Sequence, residues 1–379
     1  MRLIIESCKT KQNKELIQDL IAQIDNWKQL INLAHVHGVF PLVYHALKRY
    51  TEFIPSHTIL RMKSYNINIV KRNMLMSTEL LKITKLFNTL DIKNISFKGP
   101  TLSQLAYKDI NLRQYSDLDI LIDEDNIYNI VELLLQNGYT SSSPITLLNN
   151  KTFCQLDNDF SIFTSKTNIL IELHWRLFRK KIGKHKTFQE YHDNKTMVQI
   201  SNAKIATLSL ENLLVYLCIH GSKHAWERLE WVKDIDALIS KEYANINWDI
   251  TLAIAKEMDS QIAFLSSLNL SHFLFHTNLP DFLLEKVDTH KMNKLTVEAL
   301  TFISNAENKE DSYNYYRKVM LFQTKLLNTK TKQLKYILNA YFSITRNDYI
   351  AFPLPKDLTF LYYFFKPFRV VYKAFSQTK

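Results

Sequence analysis

The segment "KGPTLSQLAYKDINLRQYSDLDILI", residues 98–122, contains two features that an ordinary buried segment lacks. Gly99, one of only five glycines in the chain, directly precedes a proline that suits the first turn of a helix. Two aspartates, Asp117 and Asp119, then interrupt an apolar run at alternate positions. Because side chains alternate between the two faces of a strand, this pattern predicts one apolar face and one exposed face that carries two carboxylates.

The surrounding sequence predicts a small sheet between two helical regions. Residues before 90 and after about 207 have the apolar spacing of helices, which breaks at Gly38–Pro41 and restarts. Between them we predict a strand at 92–99, a helix from Pro100 to about Tyr107, a strand at 116–123, a helix ending at Gly138, and short strands at "TFCQL", "DFSIFTS" and "NILIELHW". The sequence therefore predicts an α+β protein with an N-terminal helical region (1–90), a mixed-sheet α/β core (91–206) and a C-terminal helical region (207–379).

The composition narrows the classes of partner. A formal net charge of +11 favours anionic partners such as a nucleotide, nucleic acid or an acidic membrane surface. The three cysteines form no CxxC pair, which argues against a thiolate zinc site and suits a reducing cytoplasm. The N-terminal apolar stretch is too short for a secretory signal, and no run of apolar residues is long enough to predict a spanning helix. The five glycines are isolated, which excludes a dinucleotide-binding fingerprint and a Walker loop.

A third carboxylate lies on a later strand. In "NILIELHW", Glu172 and His174 share one face, opposite the apolar side chains. If this strand neighbours the first, three acids converge, and two carboxylates about 5 Å apart repel by roughly 3 kcal/mol at an effective dielectric of about 20. A divalent cation removes that repulsion, and oxygen ligands suit Mg²⁺ or Mn²⁺. We therefore predict that Asp117, Asp119 and Glu172 bind metal; the alternative is a strand-start Asp117 and a solvent-facing Asp119 without metal.

The residues upstream favour a phosphate site. Unpaired amides at a helix N-terminus attract phosphate, and a glycine at position 99 allows close approach of the backbone. Lys98 and Arg113 are predicted to neutralise phosphate charge, so Lys98, Gly99 and Arg113 are expected nucleotide contacts. His174, beside Glu172, is predicted to contact the nucleotide phosphates or to orient Glu172; the alternative is a satisfied interior histidine.

The order strand, glycine, helix, DxD strand and later acidic strand resembles the polymerase-beta-like nucleotidyltransferase superfamily. The chain is most similar to its uncharacterised bacterial nucleotidyltransferase-like family, through the segments "NWKQLINLAHVHGVFPLVYHAL", "FKGPTLSQLAYKDINLRQYSDLDILI", "IELHWRLF", "HGSKHAWERLEWVKDIDAL" and "LPKDLTFLYYFFKPFRVVYK".

The resemblance implies that Asp117 and Asp119 are the metal-binding pair, that Glu172 is the third catalytic acid, and that Gly99 forms the phosphate-binding turn. It also implies transfer of an NMP from an NTP such as ATP to an acceptor hydroxyl, on a small molecule, a glycan precursor or a protein. One departure is Pro100, because the superfamily usually has serine or a second glycine there.

Three weaker candidates lie elsewhere in the chain. His220, Lys223 and His224 share one helix face and could contact the nucleotide or the acceptor; the alternative is the polar face of a packed helix, with Trp226 and Trp231 toward the core. The basic segment 176–186 is read as a solvated loop, with steering of an anionic substrate as the alternative. The aromatic and basic segment 358–375 either packs on the helical region or makes a peripheral membrane contact.

Two other function classes stay open at this point. A catalytically silent nucleotide-binding or interaction protein is favoured by Pro100, whereas the three acids argue for an enzyme. An RNA-modifying or RNA-binding protein is favoured by the net charge and by 19 tyrosines and 22 phenylalanines, although these residues are dispersed along the chain. No feature of the sequence points to DNA.

Overall fold

A computed structural model describes residues 1–179, 186–306 and 312–342, together with positions 344, 348–349, 358 and 361–362. Most of the aromatic and basic segment 358–375 lies outside the described residues, and so do residues 180–185 of the basic segment 176–186. Both hypotheses about these segments therefore stay predictions.

Five helices form the N-terminal region. Pro41 lies in the first turn of the fourth helix and Gly38, at φ +70°, lies just before it, which confirms the predicted break. The region that read as one helix or two is a single helix of 34 residues. The bounds are α1 Arg2–Cys8, α2 Lys14–Ala22, α3 Trp27–Val36, α4 Phe40–Leu47 and α5 Ser56–Thr89.

A mixed five-stranded sheet in the order β1-β2-β5-β4-β3 follows, which confirms the predicted α+β class. Only β2 and β5 are parallel; the other three pairs are antiparallel. The strands are β1 Ile95–Ser96, β2 Asp117–Leu121, β3 Tyr139–Ser141, β4 Asp159–Thr164 and β5 Leu170–His174. The helices of this region are α6 Gly99–Tyr107, α7 Ile127–Gln136, α8 Lys151–Leu156 and α9 Phe188–Asp193, with 3-10 turns at Glu124–Asn126 and Ile145–Asn149.

The predicted strand at "TFCQL" is wrong, because residues Lys151–Leu156 form helix α8. The Asn150 side chain accepts hydrogen bonds from the amides of Thr152 and Phe153, and this N-cap starts a helix where apolar alternation alone suggested a strand. Sequence analysis also missed a two-stranded antiparallel hairpin, β6 Thr196–Ile200 and β7 Ala203–Thr207. Its two-residue turn is Ser201–Asn202, with Ser201 at φ +51°, and lacks the glycine that usually marks such a turn.

The C-terminal region is helical throughout its described part. The bounds are α10 Leu210–Lys223, α11 Leu229–Glu242, α12 Trp248–Glu257, α13 Gln261–Phe275, α14 Asp281–Val287, α15 His290–Ser304, α16 Ser312–Lys325 and α17 Lys330–Phe342, with a 3-10 turn at Tyr243–Asn245. Buried apolar side chains from all three predicted regions belong to one contiguous cluster, and the division into domains stays a prediction. Among the described helices, none combines the length and the apolar character needed to cross a bilayer.

A buried polar contact joins the N-terminal helices to α11. The carbonyl of His37 accepts a hydrogen bond from the amide of Glu230 at 3.0 Å, and Glu230 forms an ion pair with Arg228 at 3.2 Å. A Cβ at Gly38 would lie 1.8 Å from Oε2 of Glu230, so only glycine fits at this position. Burial raises the pKa of Glu230 to about 7, although the positive charges of Arg228 and Arg113 oppose this shift.

Glu230→Gln is expected to remove a pH dependence of stability. Because the pKa of Glu230 is raised in the folded state from 4.5 to about 7, the unfolded chain binds fewer protons between these pH values, and stability falls as pH rises. Relative to the variant, the wild type should lose on the order of 3 kcal/mol of unfolding free energy across this window. Urea denaturation of both proteins at about pH 4.5 and pH 8 measures the difference. An equal change of unfolding free energy between the two pH values in both proteins would contradict the prediction.

Candidate active site

The acidic residues meet on the two parallel strands. Asp119 lies in the middle of β2, directly opposite Glu172 of β5, and the residues on either side of it along β2, Leu118 and Ile120, are fully buried. One ligand atom each from Asp119, Glu172 and His174 lie within 4.8 Å of one another. The predicted convergence of the second and third acids is therefore present, with His174 as an additional member.

The acidic face is not the exposed face that the alternation pattern suggested. Asp119 has no exposed surface, whereas the Glu172 side chain is 28% exposed. Tyr216 of helix α10 packs edge-to-face on Phe97, the residue after β1, with ring centroids 5.1 Å apart. The acids therefore lie where the sheet meets α10, a place that we call the acidic cleft, and the Glu172 side chain is partly exposed there.

Two cations hold one oxygen of Asp119. Oδ1 lies 3.3 Å from Nζ of Lys98 and 3.1 Å from Nε2 of His174. Burial alone would lower the pKa of His174, but its hydrogen bonds to Asp119 and Glu172 raise that pKa to about 9. Burial likewise opposes the charge of Lys98, yet the Asp119 carboxylate leaves the pKa of Lys98 well above its usual range. The same two partners hold the pKa of Asp119 below its usual value, against the effect of its burial.

The second oxygen of Asp119 is the feature that fits a cation. Oδ2 is buried and has no hydrogen-bond partner among the described residues. An unpaired carboxylate oxygen inside a protein is costly, and a hard divalent cation is a suitable partner for it. Asp119 and Glu172 therefore supply the oxygen donors that Mg²⁺ or Mn²⁺ prefers.

Asp117 stands at the start of β2 and is half-buried. It is not part of the group whose ligand atoms lie within 4.8 Å, so the three predicted acids do not form one compact set in this structure. Burial, and then the neighbouring charge of Asp119, raise the pKa of Asp117 to about 6. Its proposed role as a metal ligand stays a prediction.

The predicted phosphate turn has the expected backbone. Gly99, at φ +55°, is the first residue of α6, and Lys98 precedes it as the N-cap. Pro100 follows in the first turn and has no amide hydrogen. The next hydroxyl, Thr101 Oγ1, donates to Oγ of Ser96 at 2.8 Å in the core and does not replace the missing serine.

Gly99→Ala is expected to cost roughly 1–2 kcal/mol of stability, since a residue with a Cβ is strained in the left-handed region. The new Cβ would also lie 3.1 Å from the carbonyl oxygen of Asp117. Gly138→Ala is the matched control, because Gly138 has φ +85° and no atom within 4 Å of its Cβ position. Urea denaturation and tripolyphosphate titration should show similar destabilisation of both variants and weaker anion binding only for Gly99→Ala. Equal anion binding by the two would argue against a phosphate turn at Gly99.

Arg113 has a partner elsewhere. Its Nε donates to both carboxylate oxygens of Asp234, at 2.9 and 3.0 Å, and Tyr107 donates its hydroxyl hydrogen to the same carboxylate at 2.9 Å. Both charged side chains are almost fully buried. The structure thus places Arg113 in an ion pair between the loop before β2 and helix α11, and its role in phosphate binding stays a prediction.

The helix face of His220, Lys223 and His224, which the sequence predicted as a weak contact site, lies partly beside the acids. Tyr216 and His220 are on the side of α10 that faces Lys98. Burial lowers the pKa values of His220 and His224, and the positive charge of Lys98 contributes to both shifts. Lys223 is exposed at the end of α10. Trp226 is buried as the alternative predicted, whereas Trp231 is half-exposed against the two histidines. Sequence analysis missed Tyr216 and Asp234, and only the i, i+4 spacing of Tyr216 and His220 could have indicated the former.

A buried DxD strand beside a parallel acidic strand and a glycine-initiated helix is the arrangement that the sequence resemblance implied for a nucleotidyltransferase. Residues 24–276, which are 253 of the 379 residues, match the model of a family described as an uncharacterised nucleotidyltransferase. The chain belongs to this family.

Two solved structures have a more distant similarity to the chain. The lincosamide antibiotic adenylyltransferase LnuA, crystallised with lincomycin, is 18% identical with a TM-score of 0.31, covering 43% of this chain and 96% of that chain. An antigenic nucleotidyltransferase-like protein from Paracoccidioides brasiliensis is 16% identical with a TM-score of 0.33, covering 55% of this chain and 93% of that chain. No curated protein matches the sequence.

Proposed function

We propose that the protein is a metal-dependent nucleotidyltransferase that moves an NMP from an NTP to an acceptor hydroxyl. The observation that carries this proposal is the buried Oδ2 of Asp119, which has no hydrogen-bond partner in the part of the chain that the structure describes and lies on the strand residue opposite Glu172. Family membership supports nucleotidyl transfer in general, while the site supports the dependence on metal.

The residues of the cleft have separable roles in this proposal. Asp119 and Glu172 would hold Mg²⁺ or Mn²⁺, with Asp117 as a further oxygen donor at the start of β2. When bound, the metal would neutralise phosphate charge and lower the pKa of the attacking hydroxyl. The amides at the start of α6 and the ammonium of Lys98 would bind the phosphates.

The proposed chemical step transfers the NMP group from the NTP to the oxygen of the acceptor hydroxyl. The acceptor oxygen forms a bond to the α-phosphorus of the NTP, and the bond from that phosphorus to the bridging oxygen breaks, releasing pyrophosphate. The hydroxyl proton passes to a base, for which Glu172 is the candidate because its side chain is 28% exposed, whereas that of Asp119 is fully buried. The acceptor is a small molecule, a glycan precursor or a protein side chain.

A label-transfer assay tests the proposal. The purified protein is incubated with Mn²⁺ or Mg²⁺, each of the four α-labelled NTPs, and cell extract as the source of acceptors, with Glu172→Gln in parallel. We expect wild type to move label from at least one NTP to an extract component, and Glu172→Gln to be slower by about 10²-fold or more. If wild type transfers no label from any NTP in either metal, the enzyme proposal is wrong.

The second candidate, a catalytically silent nucleotide-binding protein, rests on the phosphate turn. Pro100 lacks the amide and hydroxyl expected there, and Thr101 is committed to Ser96. Calorimetric titration together with the label-transfer assay separates the two candidates. The silent protein would bind an NTP in the presence of metal but would transfer no label.

A further inference from the structure

Four rings lie in contact along the cleft side of α10 and α11. Tyr216 stacks on His220 with centroids 5.7 Å apart, and His220 lies 4.9 Å from His224. Trp231 of α11 contacts both histidines, at 5.5 Å from His220 and 5.1 Å from His224. His220, His224 and Trp231 are all half-exposed, and we name these three residues the aromatic ledge.

A tight turn between the helices builds this ledge. Ala225 and Trp226 both have positive φ, of 49° and 62°, and the Trp226 amide donates to the Gly221 carbonyl at 3.0 Å. Non-glycine residues in this conformation are strained, and the packing must compensate. The buried Trp226 ring supplies that packing, because it occupies the space of a Gly221 side chain, where a Cβ would lie 2.0 Å from the ring. The turn reverses the chain and brings Trp231 back onto the histidines.

The ledge continues directly from the acidic cleft. Tyr216 also contacts Phe97 at 5.1 Å, and Phe97 contacts His174 at 5.2 Å. The ammonium of Lys98 lies 5.5 Å from the Tyr216 ring and 3.3 Å from Asp119. One row of rings thus joins the oxygen ligands and the start of α6 to a half-exposed surface.

The chemistry of the ledge suits a planar, uncharged ring. Burial and the positive charge of Lys98 lower the pKa values of both histidines, that of His224 to about 4, so both imidazoles are neutral near pH 7. No side-chain hydrogen bond to a described residue is among the causes that shift the pKa of either imidazole. The Arg228 guanidinium carbon lies 5.9 Å from the Trp231 centroid, which adds a cation near the rim of the ledge.

We propose that the aromatic ledge of His220, His224 and Trp231 stacks the nucleobase of the NTP whose phosphates lie at the start of α6. This inference rests on the proposed function, since it concerns the substrate of the same site. Stacking tolerates every base, because each base has a π-face, while neutral imidazole nitrogens can pair with base edges. Trp231 has the largest ring of the ledge and is therefore expected to provide most of the base-dependent affinity.

Titration calorimetry with Mn²⁺ tests the ledge by comparing ligands with and without a base. Each of the four NTPs and inorganic tripolyphosphate is titrated into wild type, Trp231→Ala and Trp231→Phe, with Trp27→Ala, at the start of helix α3, as a matched control. Trp231→Ala should weaken the best-bound NTP by roughly 10- to 100-fold and leave tripolyphosphate binding within about twofold. Trp231→Phe, which keeps a ring, should retain most of the NTP affinity, and Trp27→Ala should match wild type.

The outcomes separate this inference from the proposed function. An equal loss of NTP and tripolyphosphate binding in Trp231→Ala would mean damage to the fold, and unchanged NTP binding would place the base elsewhere. Either result overturns the ledge, and label transfer that depends on Glu172 would still support the proposed function. If wild type binds neither NTP nor tripolyphosphate, both proposals are wrong.

Discussion

On the proposed function, Asp119→Asn is expected to lower nucleotidyl transfer by about 10³-fold or more. The amide nearly matches the carboxylate in shape but replaces one oxygen by an NH₂ group and removes the negative charge. The buried Oδ2, which has no partner among the described residues, is the atom that this change removes as an anionic donor. Label transfer from the best NTP, measured at saturating Mn²⁺, gives the rate.

The control is Asp125→Asn, an identical change at an exposed aspartate after β2. It should transfer label at the wild-type rate. Far-UV circular dichroism of Asp119→Asn checks the fold, because the substitution also deprives Lys98 and His174 of their common partner. A folded Asp119→Asn protein with transfer within about tenfold of wild type would contradict the assignment of this carboxylate.

Arg113→Ala is expected to reduce the free energy of unfolding by about 3–5 kcal/mol, because it leaves the buried Asp234 carboxylate without its cation. Tyr107 remains as a neutral donor and offsets only part of this loss. Urea denaturation, with the slope held common to the variants, measures the change. A loss of this size would show that the Arg113–Asp234 ion pair stabilises the packing of the loop before β2 against helix α11.

The matched control is Lys325→Ala, which removes the ion pair with Glu298. That pair is 49% and 25% exposed and lies on the surface, so its loss should cost about 1 kcal/mol or less. The same Arg113→Ala protein also tests the earlier hypothesis of a phosphate contact. Nearly unchanged stability together with weaker tripolyphosphate binding would support that hypothesis and contradict the structural role.

Much of the site was predictable where local patterns carry the information. The alternation in "SDLDILI" located Asp117 and Asp119 on one strand, and the glycine before Pro100 located the helix start. The left-handed residue after α7, Gly138, also followed from its residue type. These features depend on the direction of side chains and the conformational freedom of the backbone within a few residues. Both follow from the local sequence alone.

Other predictions were wrong or incomplete where a helix cap, an unusual turn or a contact between distant segments decides the structure. The Asn150 cap turned an apolar segment into helix α8, and β6 and β7 were missed since their turn at Ser201 lacks the usual glycine. The acidic face was expected to be exposed, yet Asp119 is fully buried. Its burial depends on how distant segments of the chain pack together, and no pattern within the strand indicates it.

The sequence by itself determined the α+β class, the carboxylates on their strands and the glycine turn before α6, because each follows from the period or conformational freedom of a short segment. The tertiary structure alone decided that Arg113 pairs with Asp234, that His174 and Lys98 share one oxygen of Asp119, and that Trp231 returns to His220 and His224. These contacts join residues from separate elements. Their formation depends on how buried surfaces pack and on which buried charges must be neutralised, and both are properties of the whole fold.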